Sequence, residues 1–148
     1  MFKIGILNGP NLNILEKRDQ SIYGTLTLEE INQKIRDTAE KENIELMFAQ
    51  SNSEGEMIDI IQKWSLQIDG LVINPAAYTH YSYAISDALK DCPVPVIEVH
   101  LSNIFSRDEF RQKSVTVPVC TGQIAGLGYY GYILAVYGLN ALIRQKKR

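Results

Sequence analysis

Short apolar runs alternate with amphipathic stretches along the chain. Lys3 to Asn8 is apolar and stops at Gly9-Pro10, a pair that breaks regular structure, so it is predicted as the first strand. A long polar loop runs from there through Gly24. The period then changes: Thr27 followed by Glu30 makes a capping box, and Leu28, Ile31 and Ile35 form one stripe, predicting a helix from Thr25 to Glu42. Ile44 to Gln50 is predicted as the second strand. Ser53, with Glu56 three residues on, caps a helix whose Met57, Ile60, Ile61 and Trp64 recur at helical spacing. Gly70 to Asn74 is almost continuously apolar, the pattern of a strand covered on both faces. The remaining expectations are a helix around Tyr81 to Leu89, a strand from Val94 to His100, a helical turn from Asp108 to Lys113, a fifth strand from Val115 to Cys120, and a final helix from Ala125 to Arg144.

Strands alternating with helices imply parallel pairing through right-handed crossovers. Five strands in this arrangement predict an α/β fold of the flavodoxin-like, doubly wound type: a five-stranded parallel sheet in the order 2-1-3-4-5 with helices on both faces. With no repeat or linker in view, residues 1–148 are expected to form a single domain, long enough to bury a core without staples. The net charge of −2 argues against a nucleic-acid or anionic-membrane partner, and the basic run Arg144 to Arg148 reads as a solvated helix end. The first apolar run is too short for a signal peptide, no stretch approaches membrane-spanning length, and the two cysteines, Cys92 and Cys120, lack metal-type spacing; a cytoplasmic protein is expected.

In doubly wound sheets ligands bind beyond the C-terminal ends of the strands, at the switch point between the first and third. Polar residues gather there. Asn8, Asn11, Arg18 and Tyr23 follow the first strand, Asn74 and His80 the third, and Glu98, His100, Leu101, Ser102, Arg107 and Arg111 lie at or beyond the end of the fourth. Glu98, His100 and Ser102 share a face by strand alternation. A carboxylate beside an imidazole favours the charged ring and orients it, which suits a general acid but equally describes a structural hydrogen bond. Arg18 and Tyr23 read either as a packed tyrosine with a solvated arginine, or as a phenol whose ionised form a cation favours. Arg107 and Arg111, four apart, make a solvated face or a fork for a carboxylate, and the Leu101 and Ser102 amides can cradle an anion.

Three other patterns are set aside. Gly126 to Gly131 matches G-x-G-x-x-G but opens the last helix, with no later strand or acidic residue to hold a ribose. His80, Asp87, Glu98 and His100 lack compact metal-ligand spacing. Cys120 has no cationic neighbour in sequence to make it a nucleophile. Neither a metal nor a cofactor is expected.

Taken together, Asn8 to Asn13 with Arg18 and Tyr23-Gly24, Gln50 to Glu56, Asn74 to His80 with Ser86 to Leu89, Glu98 to Ile104 with Arg107, Glu109 to Arg111 and Ser114, and Thr121-Gly122 with Gly126 to Tyr132 resemble the type II 3-dehydroquinate dehydratases, in order and over nearly the whole chain. The resemblance implies a flavodoxin-like subunit in a dodecamer, a tetramer of trimers, that converts 3-dehydroquinate to 3-dehydroshikimate in the shikimate pathway or in quinate breakdown. It implies Tyr23 as base, His100 as acid supported by Glu98, Arg18 stabilising the transition state from a lid, and Asn11 holding a water at the enolate. Asn74, His80, Asp87, Leu101, Ser102 and Arg111 would bind substrate, Asp87 across a subunit interface, with Arg107 in support. The chain departs from the family at Glu16 and Ala76, where glycine is usual, and at Asp19, Gln20, Tyr81 and Ser86. On fold alone, a flavin- or nucleotide-binding protein and a non-catalytic assembly module are the competing readings.

Overall fold

The computed structural model describes residues 1–147. Five strands, β1 (Phe2–Asn8), β2 (Ile44–Gln50), β3 (Gly70–Asn74), β4 (Val96–His100) and β5 (Gly122–Ala125), pair in parallel in the order β2-β1-β3-β4-β5. This is the doubly wound topology the sequence predicts. The helices α1 (Gln20–Tyr23), α2 (Leu28–Lys41), α3 (Glu54–Trp64), α4 (Tyr83–Lys90) and α5 (Tyr130–Lys146) complete it.

Strand alternation divides the core in two. Ile4 and Ile6 of β1, Val72 of β3 and Val99 of β4 pack with Ile31 and Ile35 of α2 and Val136 and Leu139 of α5. On the opposite face Leu7, Leu71 and Ile73 meet Met57, Ile61 and Trp64 of α3 and Ile85 and Leu89 of α4. Both sheet faces are therefore covered, which is why every residue of β3 and β4 is buried. The capping box of Thr27 and Glu30 forms as expected, and Ser53 caps α3.

The sequence expectation fails in the last third. Val115 to Cys120 is not the fifth strand; Val117–Val119 is a short 3-10 turn and the strand is Gly122–Ala125. Ser114 Oγ captures the N–H groups of Thr116 and Val117 at 3.2 and 3.0 Å, and Pro118 has no N–H to give a ladder. The final helix begins at Tyr130 rather than Ala125, because Gly126 and Gly128 turn the chain with φ of +88° and +58°. β4 starts after Pro95, and α4 starts at Tyr83, capped by Ser82. The loop after β1 is not wholly irregular either. It carries a 3-10 segment, Leu12–Lys17, anchored in the core by Leu12 and Leu15, and then α1.

Candidate active site

Register brings the strand ends level. Asn8 lies between Gln50 and Asn74, and Ile73 pairs with Glu98, so His100, the last residue of β4 and paired with Ala125, stands one residue beyond the level of Asn74. A pocket of about 130 Å³ lies over these ends, lined by Asn11, Arg18, Tyr23, Asn74, Ala76, His80, His100, Leu101, Ser102, Arg107 and Arg111 among others. Residues from three separate stretches of chain, at or after the ends of β1, β3 and β4, thus meet in one small volume. Of the residues singled out from sequence, Glu98 lies behind His100, and Asp87 stands exposed on α4 without lining the pocket. A wider groove of about 470 Å³ on the other side of Tyr23 shares Ser102 and Arg107 but contains neither histidine.

Tyr23 is reached by two guanidiniums. Arg18 Nη2 donates to its hydroxyl oxygen at 2.8 Å, and the Arg107 guanidinium lies 5.3 Å from the ring centre. Arg107 also donates to Ser102 Oγ at 3.3 Å. The lid segment holds its shape through Asp19, whose side chain caps α1 by accepting from Ser21 N–H at 3.0 Å and Ser21 Oγ–H at 2.6 Å. Those two bonds hold the Asp19 carboxyl below its usual range. Asn11 has a left-handed backbone, φ +69°, and its N–H donates to Asn52 Oδ1 at 3.0 Å.

His100 and Glu98 are both buried, and His100 Nε2 lies 2.6 Å from Glu98 Oε2. Nε2 faces the carboxylate, and Nδ1 is the ring nitrogen left for other partners. His80 is oriented the opposite way. Its Nδ1 meets the Lys113 carbonyl at 2.7 Å and must carry the proton, leaving Nε2 as an acceptor. Burial, and less strongly the His100 and Arg111 charges, push the His80 ring below the usual histidine range, while the Lys113 bond opposes them.

Sequence reasoning missed several supporting groups. Tyr132 is fully buried; it donates to Asn8 Oδ1 and accepts from Asn74 Nδ2 at 2.9 Å. Thr79 and Thr116 hydroxyls bond Glu98, and Ser114 Oγ bonds Thr79 Oγ1 behind them. No local signal marks their approach to Glu98, which lies 19 residues from Thr79 and 18 from Thr116. The glycines of the G-x-G-x-x-G match have structural work instead: Gly126 and Gly128 N–H groups bond the His100 and Leu101 carbonyls at 3.2 and 3.0 Å. A Cβ at Gly131 would lie 3.1 Å from Val99 Cγ1. Burial and the Glu98 charge push the Cys120 thiol far above the ordinary range, so it is no nucleophile at neutral pH. Among the described residues no three His, Cys, Asp or Glu side chains form a metal-binding group, and no helix is long and apolar enough to cross a membrane.

The pocket offers three guanidiniums, a neutral imidazole acceptor, a tyrosine held by arginine and a carboxylate-backed imidazole. That set can bind a small anion, remove one proton and deliver another. The chain matches the family described as Dehydroquinase class II over residues 2–140. The 3-dehydroquinate dehydratase of Clostridium botulinum is 52% identical over 147 residues, 99% of this chain and 100% of that one. That of Thermotoga neapolitana is 56% identical over 134 residues, 90% of this chain and 91% of its own. The crystal structure of type II dehydroquinase from Butyrivibrio crossotus superposes with a TM-score of 0.92 at 51% identity, covering 94% of this chain and 97% of that one.

Proposed function

The chain belongs to the class II dehydroquinase family, and from that premise we propose that Tyr23 and His100 carry out, as base and acid, the dehydration of 3-dehydroquinate to 3-dehydroshikimate and water. The enzyme is a hydro-lyase. The observation that supports these roles is the shared pocket: Tyr23, from the segment after β1, and His100, at the tip of β4, line the same 130 Å³.

The proton next to the ketone is too weakly acidic for a free carboxylate to remove quickly, and a phenolate is a stronger base. Arg18, donating to the Tyr23 oxygen, stabilises that phenolate. As the C–H bond breaks, charge moves onto the ketone oxygen, where a water oriented by Asn11 donates a hydrogen bond. Removing one such donor typically costs ~10²–10³ in rate. The β-hydroxyl then leaves as water, taking a proton from His100, which Glu98 supports from behind. Arg111, Asn74, His80 and the Leu101 and Ser102 amides bind the substrate's carboxylate and hydroxyls, and Arg107 supports Tyr23 and Ser102. The whole chain acts as one catalytic domain in the cytoplasm, without a metal or cofactor, where a reducing medium keeps Cys92 and Cys120 as thiols. It works as a homododecamer, in which Asp87 reaches the pocket of a neighbouring copy.

Adding 3-dehydroquinate to the purified protein should produce the ultraviolet absorption of a conjugated product. Tyr23→Phe and His100→Ala should each lower turnover by ~10²-fold or more while a non-reacting analogue still binds. Near-normal turnover in either variant would remove that residue from its role.

A further inference from the structure

We propose that the hydroxyls of Thr79 and Thr116, aligned by Ser114, are positioning residues that hold Glu98 as an anion and thereby dictate which nitrogen of His100 faces the substrate. The inference deepens the reading of His100 as the acid and rests on it.

Glu98 is fully buried, and a carboxylate removed from water in this way costs several kcal/mol unless its oxygens are met by donors. They are. Thr116 Oγ1 lies 2.5 Å from Oε1, while Thr79 Oγ1 and His100 Nε2 lie 2.7 and 2.6 Å from Oε2. Proton counting gives one consistent set of directions around an ionised Glu98. Ser114 Oγ already accepts the N–H groups of Thr116 and Val117, so its own proton points to Thr79 Oγ1, 2.6 Å away. Thr79 then gives its single proton to Oε2, and Thr116 gives its proton to Oε1. In that set three donors converge on two oxygens, and the ionised carboxylate accepts them all, while the 2.9 Å contact between Thr116 Oγ1 and Thr79 Oγ1 ties the two hydroxyls to each other. With the anion fixed, His100 must donate through Nε2, and Nδ1 becomes the atom that exchanges protons with substrate.

The donors come from two segments clamped together. Val115 N–H bonds the Thr79 carbonyl at 2.7 Å, and His80 Nδ1–H bonds that of Lys113 at 2.7 Å. The cage therefore shares its anchor with His80, a neighbour of the substrate. Among the described residues the Cys120 thiol lies 4.0 Å from Oε1, and His80, Arg18, Arg107 and Arg111 line the pocket with His100.

Nitrogen-15 spectra of histidine-labelled full-length enzyme test this directly, because the chain has two histidines and His80→Gln assigns the second. Neutral His100 should carry its proton on Nε2; a proton on Nδ1 overturns the proposal whatever the variants do. Thr79→Val should lower kcat by about tenfold, with KM changed by less than about twofold, and mix the two ring tautomers, while Thr79→Ser should restore both kcat and the spectrum. Thr116→Val should act in the same direction through the other oxygen, and it decides the matter if Thr79→Val does not fold. Wild-type kcat and an unchanged His100 spectrum in a folded valine variant would refute the cage. Turnover surviving in His100→Ala would instead refute the acid assignment and leave the tautomer result standing by itself.

Discussion

Asn74 is buried, and its amide has one orientation. Oδ1 accepts from Ala76 N–H at 3.0 Å, and Nδ2 donates to Tyr132 Oη at 2.9 Å, whose own proton goes to Asn8. The second Nδ2 proton is the one free to meet a ligand, so Asn74 offers the pocket a donor. Tyr132→Phe leaves Asn74 Nδ2 and Asn8 Oδ1 without their partner, at about 1–3 kcal/mol for each unsatisfied group. The expected result is weaker binding, with KM and the calorimetric Kd of a substrate analogue both raised ~5- to 10-fold, and a smaller change in kcat. At this scale the polar residues of the strand ends could be read from sequence, since a strand-end histidine or arginine stands out against an apolar background. Tyr132 could not. It looks like one more apolar residue of a helix, and its partners are 58 and 124 residues away.

At the scale of elements, the close approach of the β1 and β3 ends frames the site. A Cβ at Gly9 would sit 2.7 Å from the Pro75 carbonyl oxygen and 3.1 Å from that of Asn74, both backbone atoms that cannot swing aside. Gly9→Ala should therefore cost about 1–3 kcal/mol in denaturant unfolding and lower turnover by displacing Asn74. Across the same junction Ala76 is held at φ +53°, a conformation that costs a non-glycine residue about 1–2 kcal/mol, at a position where the family usually has glycine. Ala76→Gly should raise stability by up to ~1 kcal/mol after the added unfolded-state entropy is subtracted, and the same titration reads it. Element order and type were largely legible, because capping boxes and apolar periods are local. β5 was not: Gly122-Gln123-Ile124-Ala125 has one strong strand former, and its pairing with β4 makes it a strand, whereas the more apolar Val115–Cys120 loses its ladder to a serine hydroxyl and a proline.

For the whole molecule, the face around α4 carries several exposed aromatic residues. Tyr83 and Asp87, one helical turn apart, both point outward; Tyr83 is 72% exposed, and Tyr81 and Phe110 stand exposed nearby. Aromatic residues on such a face suit burial against another copy. Sedimentation should give a particle about twelve times the 16.7 kDa chain, and Tyr83→Glu should break it down and lower turnover together; a fully active monomer would contradict the assignment of Asp87 to a neighbour's pocket. The sequence by itself determined the sheet order, the helices that cover it and the edge at which the polar pocket residues gather, because apolar period, caps and crossover handedness act over short stretches. Only the tertiary structure decided that Tyr23 and His100 share one pocket, that His80 and His100 turn opposite nitrogens to it, and that Glu98 lies in a cage of hydroxyls. Those outcomes depend on hydrogen bonds between distant segments, whose partners are chosen when the core closes and leave no periodic trace along the chain.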